Sequence, residues 1–167
     1  MKKFITLAAI SMSFALPAQT YASENLVSDV EAFYKSFETT LNTRDFETTR
    51  SIVNEHFAED FAHYDDGVNT YGKTGLLDFI NQSINNRVST RLDIDMKSVK
   101  FSEEQNEIHA HFVLDQDILT PSPEQNKNTL KPRLTLKLEC FDQFRITESN
   151  SFELYKCDCK TLKRTQH

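Results

Sequence analysis

Residues 134–146, Leu-Thr-Leu-Lys-Leu-Glu-Cys-Phe-Asp-Gln-Phe-Arg-Ile, form the longest regular pattern in the chain. Apolar side chains occupy every second position, and Asp142 is the one exception. Because successive side chains of a β-strand point to opposite faces, this alternation predicts a long strand with one buried face and one polar face. Such a strand needs neighbouring strands beside it and an apolar layer over its buried face.

The expected neighbours are present on both sides of this segment. Residues 92–101, 108–114 and 152–159 show the same two-residue period. The first of them is offset at Lys97-Ser98, which indicates a β-bulge. The last changes register once, at Leu154-Tyr155. The second half of the chain is therefore predicted to be a sheet of long antiparallel strands.

The first half has the three- to four-residue period of amphipathic helices. Residues 26–41, 46–57 and 75–85 carry it, and Asp45 is well placed to cap the second helix. A short strand at 61–65 separates the second and third helices. This order predicts an α+β domain, with N-terminal helices packed on a curved antiparallel sheet of four to five strands.

Two segments have no periodicity. Residues 120–132 contain three Pro and are predicted to be a loop, which could be a lid, a partner surface or a tolerated insertion. Residues 160–167 are polar and are predicted to be a frayed tail.

The N-terminus has the pattern of a cleavable signal peptide. Lys2 and Lys3 precede a mostly apolar run over residues 4–16, and Thr20-Tyr21-Ala22 supplies small residues for a peptidase. The run is too short to cross a bilayer as a helix, since about 20 residues are needed. Residues 1–22 are thus predicted to be removed, leaving one domain at 23–167 in the periplasm or outside the cell, without a transmembrane anchor.

The net charge of the predicted mature chain limits the classes of partner it can bind. Removing Lys2 and Lys3 from the 19 basic residues leaves 17 against 25 acidic ones, a net charge of −8 with His neutral. This sign argues against nucleic acid as a partner. The three cysteines, Cys140, Cys157 and Cys159, indicate a disulfide in an exported protein, with one thiol left over. Cys140 falls opposite Cys157 or Cys159, depending on the register slip.

Three segments of the first half resemble the nuclear-transport-factor-2-like superfamily, which includes ketosteroid isomerase and SnoaL-like cyclases. They are Leu-Asn-Thr-Arg-Asp-Phe at 41–46, Phe-Ala-Glu-Asp-Phe at 57–61 and Tyr-Gly-Lys-Thr-Gly-Leu-Leu-Asp-Phe at 71–79. The resemblance implies a cone-shaped, cystatin-like roll with a pocket between the helices and the sheet. It also implies a homodimer formed through the open sheet face.

The resemblance assigns two carboxylates to proton transfer. Asp65 lies seven residues after Ala58, where the isomerase branch has its base, although Asp65-Asp66-Gly67 also fits a simple acidic turn. Asp142 matches the neutral acid that holds the enolate oxygen. Independently of the family, a carboxylate on an apolar strand face must be protonated, paired or open to a cavity. His63 shares a strand face with Asp65 and could serve as the base instead.

The sequence departs from the isomerase branch in the first helix. Phe37 stands where the resemblance requires a Tyr that donates to the oxyanion, and Tyr34, one turn earlier on a similar face, is expected to reach that point only if the helix is shifted. The predicted ligand-binding set is aromatic, and those aromatic residues fit a core equally well: Tyr34, Phe37, Phe61, Phe79, Phe112 and Phe144. No cofactor and no metal is predicted, because nothing supplies a third ligand to His109 and His111.

Two functions remain open. The first is an exported accessory module that binds a small apolar ligand or a protein partner. The second is an isomerase, dehydratase or cyclase with Asp65 and Asp142 as the acid–base pair and His63 in support. Fold alone does not decide between them.

Overall fold

The computed structural model describes residues 18–86, 89–121 and 130–167. The helices are α1 Ala18–Thr43, α2 Phe46–His56 and α3 Lys73–Asn86. The strands are β1 Phe57–Asp65, β2 Val68–Gly72, β3 Ser89–Ser102, β4 Glu107–Pro121, β5 Leu130–Ile146 and β6 Phe152–Gln166.

The six strands form one sheet in the order β2-β1-β6-β5-β4-β3. All neighbours are antiparallel except β1 and β6, which run parallel. The α1 helix contacts β3, α2 contacts β6, and α3 contacts β1. The helices therefore cover one face of the sheet, and the predicted α+β architecture is confirmed.

The core lies between the helices and this covered face. Buried apolar residues of α1 recur at helical spacing, at Leu26, Val30 and Phe33. On the sheet side, Ile108 of β4 and Phe144 of β5 are fully buried. The turn between α1 and α2 is fixed by Asp45, whose carboxylate accepts a hydrogen bond of 3.2 Å from the Thr48 backbone N–H.

Three sequence predictions about the sheet need correction. The sheet has six strands rather than four to five, because Val68–Gly72 pairs with β1 as an exposed edge strand. Residues 160–166, predicted to be part of a frayed tail, continue β6 and pair with β5 as far as Leu134↔Gln166. The predicted loop at 120–132 is shorter, since β4 reaches Pro121 and β5 starts at Leu130.

The two predicted irregularities of register are confirmed. The pairing of β3 with β4 shifts between Met96 and Ser98. The pairing of β5 with β6 shifts by one residue at Tyr155, since Gln143 pairs with Lys156 and Phe144 pairs with Leu154. This second bulge lets residues 152 and 154 share a face with Cys157 and Cys159.

The signal peptide stays a prediction. Residues 1–17 lie outside the described residues, and α1 begins at Ala18, before the predicted cleavage point between Ala22 and Ser23. Within the described ranges, no helix has the length and hydropathy needed to cross a membrane.

Candidate functional site

A cavity of about 400 Å³ lies between the helices and the concave face of the sheet. Its walls are mostly apolar and come from both layers, including Phe37 of α1, Ile80 of α3 and Leu114 of β4. The volume falls within the range of about 300–1,000 Å³ that is typical of small-molecule sites.

The floor of the cavity is polar where β1, β6 and β5 run side by side. Alternate residues of a strand share a face, and each of these three strands contributes two polar or sulfur-bearing residues to the cavity beside its apolar ones. We call these six side chains the polar patch: His63 and Asp65 of β1, Cys157 and Cys159 of β6, and Asp142 and Cys140 of β5. They form two rows across the sheet. Backbone pairing aligns His63 with Cys157 and Asp142, and it aligns Asp65 with Cys159 and Cys140.

Asp142 is the most buried acid of the patch, with 2% of its surface exposed. The Tyr34 hydroxyl donates a hydrogen bond of 2.5 Å to its Oδ2. Its Oδ1 has no hydrogen-bond partner among the described residues. Burial raises the pKa of Asp142 to about 6, and the Cys157 thiol and the Tyr34 hydroxyl offset only part of that rise.

The two groups that touch Asp142 stay neutral at ordinary pH. Burial, and then the nearby Asp142 carboxylate, raise the pKa of the Tyr34 hydroxyl and of the Cys157 thiol well above their usual values. Tyr34 is therefore a permanent donor, and Cys157 is a thiol rather than a thiolate.

His63 is the base candidate of the patch. Its Nε2 lies 3.5 Å from Oδ1 of Asp65, and its ring lies 4.5 Å from the ring of Tyr71. Burial lowers the pKa of His63, while the carboxylates of Asp65 and Asp158 act in the opposite direction. Within the described part of the chain, its buried Nδ1 has no hydrogen-bond partner. A neutral imidazole with a free ring nitrogen can accept a proton.

The cysteines divide into one disulfide and one thiol. Cys140 and Cys159 are bonded across β5 and β6, with an S–S distance of 1.98 Å. Cys157 is the free cysteine, and its Sγ lies 3.5 Å from Sγ of Cys159. This settles the alternative that the sequence left open, because the bulge at Tyr155 puts Cys159 opposite Cys140.

All three residues predicted as catalytic reach the same cavity. Asp142 and His63 are buried at its floor, while the Asp65 side chain is 44% exposed at the end of β1. The neighbouring Asp66 forms the turn instead, since it has a φ of 50° and accepts a hydrogen bond from the Thr161 backbone N–H. β1 and β5 are separated by β6, which places their backbones about 10 Å apart.

Five of the six residues predicted to bind a ligand line the cavity, namely Tyr34, Phe37, Phe61, Phe79 and Phe112. The exception is Phe144. It is fully buried and packs edge-on against Phe33 and Phe152, at ring distances of 5.9 and 5.6 Å. Phe144 therefore belongs to the closed core below the cavity rather than to its wall.

The Tyr34 hydroxyl reaches Asp142, although the sequence puts Tyr34 one helical turn before the position that the resemblance requires. Tyr34 and Phe37 lie three residues apart, so both point from α1 towards the sheet. It is Tyr34 that lies over Asp142, with its ring 5.0 Å from that of Phe112. The sequence motif could not show this contact, because it depends on where α1 lies along the sheet.

His109 and His111 lie on the opposite, outer face of the sheet. Their Nε2 atoms lie 3.2 Å from Glu107 and 3.1 Å from Glu139, respectively. They are remote from the polar patch. The contribution of Cys157 to the site was missed, although its two-residue spacing from Cys159 puts both sulfurs on one strand face.

No protein-family model and no curated protein sequence matches the chain. Solved structures match it. A candidate scytalone dehydratase from Novosphingobium aromaticivorans superposes with a TM-score of 0.61 at 15% identity, over 89% of this chain and 91% of that one. A ketosteroid isomerase-like protein from Erwinia carotovora atroseptica gives 0.57 at 11% identity, over 82% and 96%.

A third structure, an NTF2-like superfamily protein from Salmonella enterica serovar Typhimurium, gives a TM-score of 0.59 at 7% identity. It covers 83% of this chain and 92% of that chain. The chain therefore has the nuclear-transport-factor-2-like fold, as its sequence motifs predicted. At such identities the likeness concerns the fold, and the chemistry has to be argued from the site itself.

Proposed function

We propose that this chain is an exported domain that binds a small, mostly apolar molecule in its cavity. The observation that carries the proposal is the combination of mostly apolar walls with a few buried polar groups at the floor, among them the hydrogen-bonded pair Tyr34 and Asp142. Small-molecule sites have this composition, because apolar surface supplies affinity and a few placed polar groups fix orientation.

The polar pair suggests what the ligand carries. Oδ1 of Asp142 is buried beside the cavity and lacks a partner among the described side chains. A buried polar atom without a partner is destabilising by about 1–3 kcal/mol, so a ligand hydroxyl or carbonyl that meets it would regain that free energy. We therefore expect an apolar skeleton with one oxygen function at the Asp142 end: a hydroxyl that donates to the ionised carboxylate, or a carbonyl that accepts from its protonated form.

The test compares two tryptophan substitutions on adjacent residues of β4. Leu114 lines the cavity, whereas Val113 points to the outer face. Binding of two- and three-ring phenols and ketones is measured by the shift in melting temperature. Leu114→Trp is expected to reduce the shift strongly, since the indole occupies ligand space in the cavity, and Val113→Trp is expected to preserve it. Equal binding by both variants, or no binding by the unmodified protein, would contradict the proposal.

Export is a separate part of the proposal, supported by the pattern of residues 1–22. The mass of the protein isolated from its cells is expected to correspond to a chain that begins at Ser23. An intact Met1 in a cytoplasmic fraction would show that this part is wrong.

An enzyme of the isomerase, dehydratase or cyclase type is the second candidate. The observation in its favour is that Asp65, His63 and Asp142 all line one cavity, where His63 or Asp65 could move a proton while Asp142 and Tyr34 hold a substrate oxygen. Turnover of enolisable ketones is expected to fall at least about 100-fold in Asp142→Asn if this is correct. If neither Asp142→Asn nor Asp65→Asn changes the turnover, the enzyme candidate is wrong and only the ligand-binding function remains.

Self-association through the outer face of the sheet stays a prediction. Phe141 of β5 is 49% exposed there, with its ring 4.5 Å from that of His111. The mass in solution, compared between the unmodified protein and Phe141→Lys, checks it. A homodimer that Phe141→Lys converts to a monomer is the expected result.

A further inference from the structure

We propose that, when its disulfide is reduced, this chain binds one Zn²⁺ through His63, Cys140, Cys157 and Cys159, and that the disulfide excludes the metal. This site does not depend on the proposed ligand, although both use the floor of the cavity.

The positions of the ligand atoms are the first support. A ring nitrogen of His63 and the sulfurs of Cys157 and Cys159 all lie within 4.8 Å of one another. The two sulfurs are 3.5 Å apart. In a tetrahedral site with Zn–S bonds of about 2.3 Å, neighbouring sulfurs are separated by about 3.8 Å. The existing spacing is thus close to that of a zinc site.

Cys140 provides the fourth ligand. Its sulfur is bonded to that of Cys159, so after reduction it is a thiol at the edge of the same cluster. Three thiolates and one imidazole form one of the ligand sets that structural zinc sites use. The ligands come from three neighbouring strands of one sheet, which holds their backbones at fixed separations.

The environment of His63 is the second support. Nε2 faces the Asp65 carboxylate at 3.5 Å, whereas the buried Nδ1 has no partner in the described ranges. A histidine that binds a metal usually points its other ring nitrogen at a carboxylate, which fixes the ring orientation. Asp65 would take that role, and Nδ1 is left to bind the metal.

The chemistry also explains why the two states exclude each other. A dithiol reductant supplies two electrons and two protons, the Cys140–Cys159 bond breaks, two thiols form, and the reductant becomes a disulfide. Zn²⁺ then forms three Zn–S bonds and one Zn–N bond, and three thiol protons are released. With the disulfide intact, only His63 and Cys157 remain of the four ligands, which is too few for a closed tetrahedral site.

The experiment divides chelator-treated protein into an oxidised sample and a sample reduced with a phosphine. Both receive Zn²⁺, excess metal is removed by gel filtration, and the retained zinc is measured by atomic absorption. We expect about one zinc per reduced chain and less than about a tenth of that per oxidised chain. In the reduced sample, zinc should also protect all three thiols from alkylation.

Variants locate the site. His63→Gln and Cys157→Ser are expected to weaken zinc binding by the reduced protein at least about 100-fold, as for other lost ligands. His111→Gln is the matched control, because this histidine lies on the outer face beside Glu139 and should leave binding unchanged. Circular dichroism checks that each variant is folded.

Three results would overturn the proposal. They are equal zinc content in the oxidised and reduced samples, unchanged affinity in folded Cys157→Ser, and loss of binding in His111→Gln. If reduction alone abolishes cooperative melting, zinc should restore it, since metal binding then supplies folding free energy. A reduced chain that stays unfolded with zinc would equally show that the proposal is wrong.

Discussion

Both faces of β5 carry polar side chains, but those of the outer face are near water and those of the inner face are buried. On the outer face, the polar side chains find partners near water. Nζ of Lys137 lies 3.0 Å from Asp115, Glu139 meets His111 at 3.1 Å, and Arg145 meets Asp60 at 2.6 Å. On the inner face, Asp142 is withdrawn from water and accepts a hydrogen bond from Tyr34.

This difference shows that environment, rather than residue type, sets the energetic weight of a polar group. An exposed ion pair contributes about 0–1 kcal/mol, because water solvates each member equally well. A buried group loses that alternative, so removing or charging it has a larger effect. The inner face of β5 should therefore respond strongly to substitution, and the outer face weakly.

The largest expected effect comes from the disulfide on the inner face. Cys140→Ala removes a bond between residues 19 apart in sequence, which should lower the free energy of unfolding by about 3 kcal/mol. Urea denaturation of metal-free, oxidised protein measures it. Cys157→Ala, which removes the free thiol of the same patch, should have an effect of about 1 kcal/mol and is the matched control.

The next effect depends on pH. The pKa of Asp142 is raised from 3.8 to about 6 in the folded state, so the folded chain holds this proton more tightly than the unfolded chain does. The free energy of unfolding must then fall as pH rises from about 4 to about 6. Asp142→Asn lacks this titration and should gain about 2–3 kcal/mol relative to the unmodified protein between pH 4 and pH 7.

Urea denaturation of the oxidised, metal-free protein and of Asp142→Asn at pH 4 and pH 7 measures this change in relative stability. Asp115→Asn, on the outer face beside Lys137, should change stability by less than about 1 kcal/mol at either pH. A pH-independent effect of Asp142→Asn would show that the carboxyl is hydrated in the folded state.

A smaller effect is expected from the hydroxyl that touches Asp142. Tyr34→Phe removes a hydrogen bond to an ionised, buried acid at pH 7, and should lower stability by about 2 kcal/mol. Tyr155→Phe removes a hydroxyl bonded to Glu107 on the outer face and should have less than half that effect. Thermal denaturation compares the two variants, and equal losses would remove the distinction between the faces.

The smallest effect should be that of Lys137→Ala. Its ion pair with Asp115 is exposed on both sides, so the loss should be below about 1 kcal/mol and should shrink further in 1 M salt. Urea denaturation at low and high salt checks this. A loss above 2 kcal/mol would mean that the outer face is covered in solution.

Much of the fold was predictable because it follows from the spacing of apolar residues along the sequence. The alternation at 134–146 and the helical repeat at 26–41 reported β5 and α1 correctly, since both elements bury one face. The elements that the sequence did not predict bury little apolar surface. The edge strand Val68–Gly72 and the end of β6 are mostly exposed, so their sequences carry no apolar period, and backbone pairing alone places them in the sheet.

The sequence identified the acidic residues of the site, but it did not identify the side chains that contact them. Asp142 stood out because it interrupts an apolar strand face, which is a local signal. Its contact with Tyr34 joins residues 108 positions apart in sequence. That contact depends on the position of α1 along the sheet, which local sequence does not report. The pairing of Cys140 with Cys159 likewise depends on a single bulge at Tyr155, whose position a period of two leaves uncertain by one residue.

The position of β6 has a consequence for how the molecule is made. The sixth strand of this sheet in sequence order lies between β1 and β5, in the middle of the sheet. Until it arrives, β1 and β5 each lack a neighbour, and no part of the cavity floor can close. Cys159 belongs to this strand, so the disulfide too can form only after β6 has been synthesised. The sheet of this domain can therefore be completed only after its sixth strand has been synthesised.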